Sequence, residues 1–396
     1  MEPGKPGKPG PPLLITAPRV VPAGPVPAVL EPGYVAIEAG LITAVGQGPP
    51  PDVPGLVLAD GVLVPGLIDL QVNGRYGEDL AGVDPAGWAR VVRRLPETGT
   101  TAFLPTFITA PVGELAGALR SAAGFVPDLP GGARVLGVHL EGPFLAAARA
   151  GAHRRDWIVP ATVDAVADLL AAGAGVLRVV TLAPEVAGGL AAVAQLAAAG
   201  VVVSVGHSDA TARQVRAAAD AGARMVTHLF NAQRALHHRE PGVVGQALTD
   251  PRLTSGLIAD PDHVGAAAWT IAFAAAPGRI CLVTDSVAAA GMPPGRYLLG
   301  GEPVTVGPED DAAPRRPDGT LAGSVLRMDR AVANVVAAGV GLAEAVAAAS
   351  RIPADLIGRP DLGRLAPGAA ADLAWLGDDL RARAAWVAGE QAHPVA

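Results

Sequence analysis

Cysteine occurs once in 396 residues, aromatic side chains make up only 4%, and no apolar stretch approaches membrane length. Each scarcity excludes something. The lone Cys281 rules out an intramolecular disulfide, and its place in RICLVTD reads as a small buried core residue, not a nucleophile. A membrane-spanning helix needs roughly 20 consecutive apolar residues, which no segment offers. Basic residues are also in the minority, 30 Lys and Arg against 37 Asp and Glu, for a net charge of −7. That balance lacks the clustered cationic footprint of a nucleic-acid binder. The opening MEPGKPGKPGPP has no apolar run of the signal-peptide kind, so a soluble cytoplasmic protein is expected.

What is abundant is small. Apolar residues reach 50%, supplied mostly by Ala, Val and Gly, and such side chains suit closely packed helix-on-sheet layers. The length allows one large domain plus a smaller one. Apart from Met1 and Glu2, residues 1–12 are only Pro, Gly and Lys, cannot bury anything, and read as a disordered tail. From 13 to 64 short β-like runs (LLITAPRVV, YVAIEAG, LITAVG, LVLADGVLV) are broken by Gly and Pro, predicting small antiparallel strands.

From about residue 65 to 360 the rhythm changes to strands alternating with Ala-rich helices. Candidate strands span 62–69, 100–106, 134–141, 177–183, 201–207, 224–228, 254–260 and 279–285. Eight such repeats predict a (β/α)8 TIM barrel. A hairpin near 297–320 and helices near 326–338 and 341–350 follow. The tail 361–396 returns to short β-like pieces, GRLAPGAAADLAWLG and ARAAWVAGEQA. Both chain ends are therefore expected to build one small β-sandwich.

Four polar residues stand where β-like runs end: Glu141 in GVHLEGPF, His207 in VVSVGHSD, His228 in MVTHLFNA and Asp285 in CLVTDSVA. Parallel barrels gather their chemistry at strand ends, so these side chains should share one mouth. A lone histidine at a strand end is more often an ordinary core or surface residue. His207 and His228 differ because they end consecutive strands, one strand-helix-strand period apart. Two imidazoles and a carboxylate suit a divalent cation, and a cation offsets the cost of burying Glu141 after VLGVHL. Asp285 reads either as a helix N-cap or as a base for a metal-activated water. His139, two residues before Glu141, should face the same way and could support it. His153, in ARAGAHRRDW, could be exposed or could polarise a carbonyl oxygen. Arg239 in HHREPG and His263 in ADPDHVG are candidate anion anchors. No GxxxxGK[ST] nucleotide loop is present, so a phosphate would belong to a small substrate.

Taken in order, PGLIDLQVNG (65–74), HLEGPF (139–144), GAH (151–153), SVGHSDAT (204–211), THLFNA (227–232), REPG (239–242), LVTDSVAAAG (282–291) and LAGS (321–324) resemble the amidohydrolase superfamily. Within it the resemblance is to the N-acetylglucosamine-6-phosphate deacetylase family, from about Tyr34 to Gly389. It implies hydrolysis of a phosphorylated amino sugar's acetamide, with an N-acetylgalactosamine 6-phosphate deacetylase or another amidohydrolase as the near alternative. A barrel that had lost catalysis and served as a scaffold is the alternative from another class. By the resemblance, Glu141, His207 and His228 hold one divalent metal ion, zinc first, with iron or another divalent ion as alternatives. Asp285 is the base and then the acid, and His153 binds the acetyl carbonyl oxygen. Asn231, Ala232, the Ala152 backbone and Leu321, Ala322 and Gly323 contact the sugar, and Arg239 and His263 bind the phosphate. A homodimer is implied, its phosphate site shared between subunits. Two departures bear on this. Gln71 and Asn73, counted among the substrate-facing residues, replace the usual His-x-His, and neutral amides are poor transition-metal ligands, which predicts a single metal. Gln233-Arg234 replaces the family's usual Met-Pro and should alter the rim of the sugar pocket.

Overall fold

The computed structural model describes residues 13–49, 54–129, 131–308 and 312–394, so the tail 1–12 lies outside the described residues. Eight parallel strands form the larger body. They are β1 (Leu67–Val72), β2 (Thr100–Ile108), β3 (Val138–Glu141), β4 (Leu177–Leu182), β5 (Val202–Val205), β6 (Met225–Val226), β7 (Thr254–Ile258) and β8 (Ile280–Val283). Each pairs in parallel with the next. The ring closes through a few bonds between its last and first members: Asp285 N–H donates to Gln71 O at 2.9 Å, and Thr284 Oγ1 donates to Asp69 Oδ2 at 2.6 Å. This is a TIM barrel.

Parallel pairing requires long crossovers, and the Ala-rich helices supply them. Their starts are marked in the sequence. Thr162 caps Val163–Ala172 by accepting from Ala165 N–H, and Thr211 with Gln214 forms a capping box on Ala212–Asp220. Strands covered on both faces become continuous apolar runs, and all four residues of β8 are buried. Cys281 is one of them, and burial raises its thiol pKa, as suits a core residue.

The first predicted strand divides in two. Val62–Pro65 pairs antiparallel with Leu373–Leu376 in the smaller body, and only Leu67–Val72 enters the barrel. The break falls at Gly66, where any Cβ would collide with Thr101. One apolar run thus serves two sheets. The smaller body has one sheet from Leu13–Ala17, Gly33–Glu38, Leu41–Gln47 and Leu56–Val57. Its second sheet combines Val62–Pro65 with Leu373–Leu376, Ala382–Val387 and Glu390–His393. Both chain ends therefore share one core, with Ile15, Val35 and Leu63 packed with Leu373 and Trp386. Arg134 clamps this body to the barrel through two hydrogen bonds to the buried Asp372, at 2.7 and 3.0 Å.

After β8 come an antiparallel hairpin, Gly295–Leu299 with Glu302–Val306, and helices Met328–Ala337 and Leu342–Ala348. A third helix, Arg351–Leu356, is absent from the sequence reading, because six residues containing Pro353 carry little periodic signal.

Candidate metal and proton-transfer site

Glu141 is the last residue of β3, while His207, His228 and Asp285 each follow their strand by two residues. The latter three have left-handed backbones, with φ of 46°, 27° and 52°. Such conformations are costly for non-glycine residues and collect at functional sites. The outcome is convergence. One ligand atom each from Glu141, His207 and His228 lies within 4.8 Å of the others, and all three residues are buried. Glu141 Oε1 is 3.2 Å from His207 Nε2 and 2.9 Å from His228 Nε2, and the two ring nitrogens are 3.1 Å apart.

This set fits a cation. His207 Nδ1 donates to Arg149 O at 2.9 Å, which turns Nε2 toward Glu141 and His228. Two ring nitrogens and a carboxylate oxygen this close together suit a cation between them. Burial opposes ionisation of Glu141, but hydrogen bonds from His207 and His228 outweigh it and hold the carboxyl well below its ordinary range. Burial likewise pulls His228 down, while Glu141 pushes it above its ordinary value.

Gln71 and Asn73 stand beside the two carboxylates of the site. Gln71 Nε2 donates to Glu141 Oε1 at 3.2 Å and to Asp285 Oδ1 at 3.1 Å. Asn73 Nδ2 donates to the same Asp285 oxygen at 2.6 Å. These amides spend their donors on carboxylates, which supports the single-cation expectation. Gln71 is fully buried and does not line the cavity, so it positions acids and does not face substrate. Burial, followed by the charge of Glu141, pushes Asp285 up to about 6.

A cavity of about 310 Å³ opens over these groups. Among its walls are Asn73, Ala152, His153, Asn231, Ala232, His263, Leu321 and Gly323, which the sequence reading had singled out. His153 is buried and its Nε2 lies 3.9 Å from Glu141 Oε2. Burial and the neighbouring His207 lower it to about 3, so its ring is neutral. His263 Nδ1 donates to Asp260 Oδ2 at 2.9 Å. The Ala152 carbonyl already accepts from Arg316 Nη1 at 2.7 Å.

Several of the residues singled out in the sequence lie off the cavity walls. Ala322 is fully buried in a small apolar cluster with Val287 and Val304 and does not line the cavity. Arg239 is exposed and also absent from the walls, because its segment runs along the surface before the helix Gly242–Thr249. His139 shares Glu141's face but lies one layer deeper, bonding Leu70 O at 3.0 Å and Thr181 Oγ1 at 2.8 Å. Gln233 braces the THLFNA turn by donating to Thr227 O at 2.7 Å, and Arg234 pairs with Asp209 at 2.6 Å. The sequence reading also missed Arg149, a cavity-lining cation tied to Asp209 at 2.7 Å. Its only sequence signal is its place two residues before GAH.

A barrel mouth holding two imidazoles and a carboxylate around one point, with an aspartate beside them, defines a metal-dependent hydrolase. The amidohydrolase family model matches residues 62–395, and the chain belongs to that metal-dependent family. Among its relatives, N-acetylgalactosamine-6-phosphate deacetylase of Escherichia coli O157:H7 is 40% identical over 333 residues, covering 84% of this chain and 88% of that protein. N-acetylglucosamine-6-phosphate deacetylase of Bos taurus is 40% identical over 342 residues, covering 83% of each. A solved structure of an N-acetyl-D-glucosamine-6-phosphate deacetylase mutant from Mycobacterium smegmatis, in complex with N-acetyl-D-glucosamine-6-phosphate, superposes with a TM-score of 0.91. It is 36% identical and the match covers 97% of this chain and 100% of that one.

Proposed function

We propose that this protein hydrolyses the acetamide of N-acetylglucosamine 6-phosphate, releasing glucosamine 6-phosphate and acetate. The observation that carries the reading is the meeting of Glu141, His207 and His228 at one point, beside Asp285 and His153, in a cavity of about 310 Å³. A divalent cation held there, zinc by the nitrogen-rich donor set, with iron or another divalent ion as alternatives, supplies an acidified water and positive charge at the carbonyl. Asp285 takes a proton from the attacking water, whose oxygen bonds to the acetyl carbon. His153 Nε2–H donates to the carbonyl oxygen as it gains charge. Asp285 then gives its proton to the nitrogen as the carbon–nitrogen bond breaks.

Asn231, Ala232, Leu321 and Gly323 form the sugar-facing wall, and His263 stands ready for the phosphate. Arg239 lies outside its own cavity, which agrees with a homodimer in which each subunit lends this arginine to the other's phosphate site. The relatives include both hexosamine epimers at equal identity, so N-acetylgalactosamine 6-phosphate is the alternative substrate. The test is acetate release from both phosphorylated sugars and from unphosphorylated N-acetylglucosamine. Faster turnover of the gluco epimer supports the proposal, and a preference for the galacto epimer or the free sugar contradicts it.

A further inference from the structure

We propose that Thr109 is a positioning residue for the reaction: it fixes His153 with its proton on Nε2 and thereby builds the carbonyl-binding donor. The inference rests on the amide-hydrolysis reading above and assigns a task to a residue outside the sequence motifs.

Thr109 follows the end of β2, is 1% exposed, and presents two donors to one ring atom. Its backbone N–H donates to His153 Nδ1 at 3.3 Å, and its Oγ1 lies 2.8 Å from the same nitrogen. A hydroxyl can rotate, but a backbone N–H cannot turn away. A proton on Nδ1 would therefore face the Thr109 amide proton head on. Nδ1 must carry a lone pair, the threonine hydroxyl donates its proton there, and the ring's proton resides on Nε2. Glu141 O, the hydroxyl's other acceptor, is farther away at 3.3 Å. With Nδ1 held as an acceptor, Nε2–H becomes the ring's free donor, on the side where Glu141 Oε2 lies at 3.9 Å. That is the donor an oxyanion needs.

The neighbouring sequence makes room for this arrangement. Gly142, directly after Glu141, has φ of 93°, and a Cβ there would collide with Thr109 Oγ1. The glycine of HLEGPF thus serves the threonine's hydroxyl. Neither residue lines the cavity, so Thr109 reaches the substrate space through His153.

Two measurements test this. In zinc-loaded protein labelled with 15N-histidine, long-range proton–nitrogen correlation should show His153 protonated on Nε2, and Thr109→Val should shift its Nδ1 resonance. A His153 protonated on Nδ1 overturns the proposal whatever the substrate proves to be. Kinetically, Thr109→Val should lower kcat on the acetamide about tenfold, with KM and metal content within about twofold, while Thr109→Ser recovers most of the loss. The deficit should shrink on the N-trifluoroacetyl analogue, whose oxyanion depends less on a donor. Equal deficits on both substrates, or equal damage from Val and Ser, would show a merely structural role. If the wild-type protein releases no acetate, the substrate reading fails, and the nitrogen correlation alone decides the role of Thr109.

Discussion

Asn73 Nδ2 sits 2.6 Å from Asp285 Oδ1, so the acid proposed to move the proton is held by an amide from the opposite side of the barrel's closing seam. A donor to a carboxylate favours its charged form. Asp285 must be charged to accept a proton, so activity rises with pH through its pKa. Burial places that pKa near 6 in the metal-free protein, and a bound cation pulls it down. The acid limb of kcat should therefore centre at or below about pH 6. Asn73→Leu should move it to higher pH, and an unmoved limb would separate Asn73 from the proton transfer.

Asp285→Asn keeps the shape and the metal ligands but removes the base. Turnover should fall by about 10³-fold while metal content and substrate affinity stay near normal. Near-normal turnover would take Asp285 out of the mechanism.

Arg239 tests the proposed phosphate site and the proposed dimer together. Arg239→Ala should raise KM for the phosphorylated sugar at least about tenfold and leave kinetics on the free sugar unchanged, since a lost charge-assisted contact is worth about 1.5–3 kcal/mol. Equal effects on both sugars would mean that this arginine is no anchor.

Arg134 and Asp372 test the architecture without touching the chemistry. Asp372 is almost fully buried, and Arg134→Met would leave its charge uncompensated. Unfolding stability should drop by about 3 kcal/mol in denaturant titration, with kcat of the folded protein unchanged. A loss under 1 kcal/mol would show that water replaces the arginine.

The barrel and the candidate metal site were legible because a single pattern encodes both: an apolar strand that ends in a polar residue. Glu141, His207, His228 and Asp285 each announce themselves in this way. The strand division at Gly66 was not legible, since Val62–Val72 is one apolar run and only the partner strand Leu373–Leu376 divides it. Gln71 was expected at the substrate, but its amide faces two carboxylates that lie 70 and 214 residues away in sequence. Thr109 and Arg149 gave little signal, because each acts on a partner brought near only by folding. Arg239 matched a motif yet stands exposed on the surface, away from the cavity walls.

Metal content tests the central claim most directly. Elemental analysis of purified protein should find one divalent ion per chain. Glu141→Ala and His207→Ala should each lower that to a small fraction. Chelation should remove the ion and acetate release together, and zinc should restore both. Two ions per chain, or full content in either variant, would contradict the account.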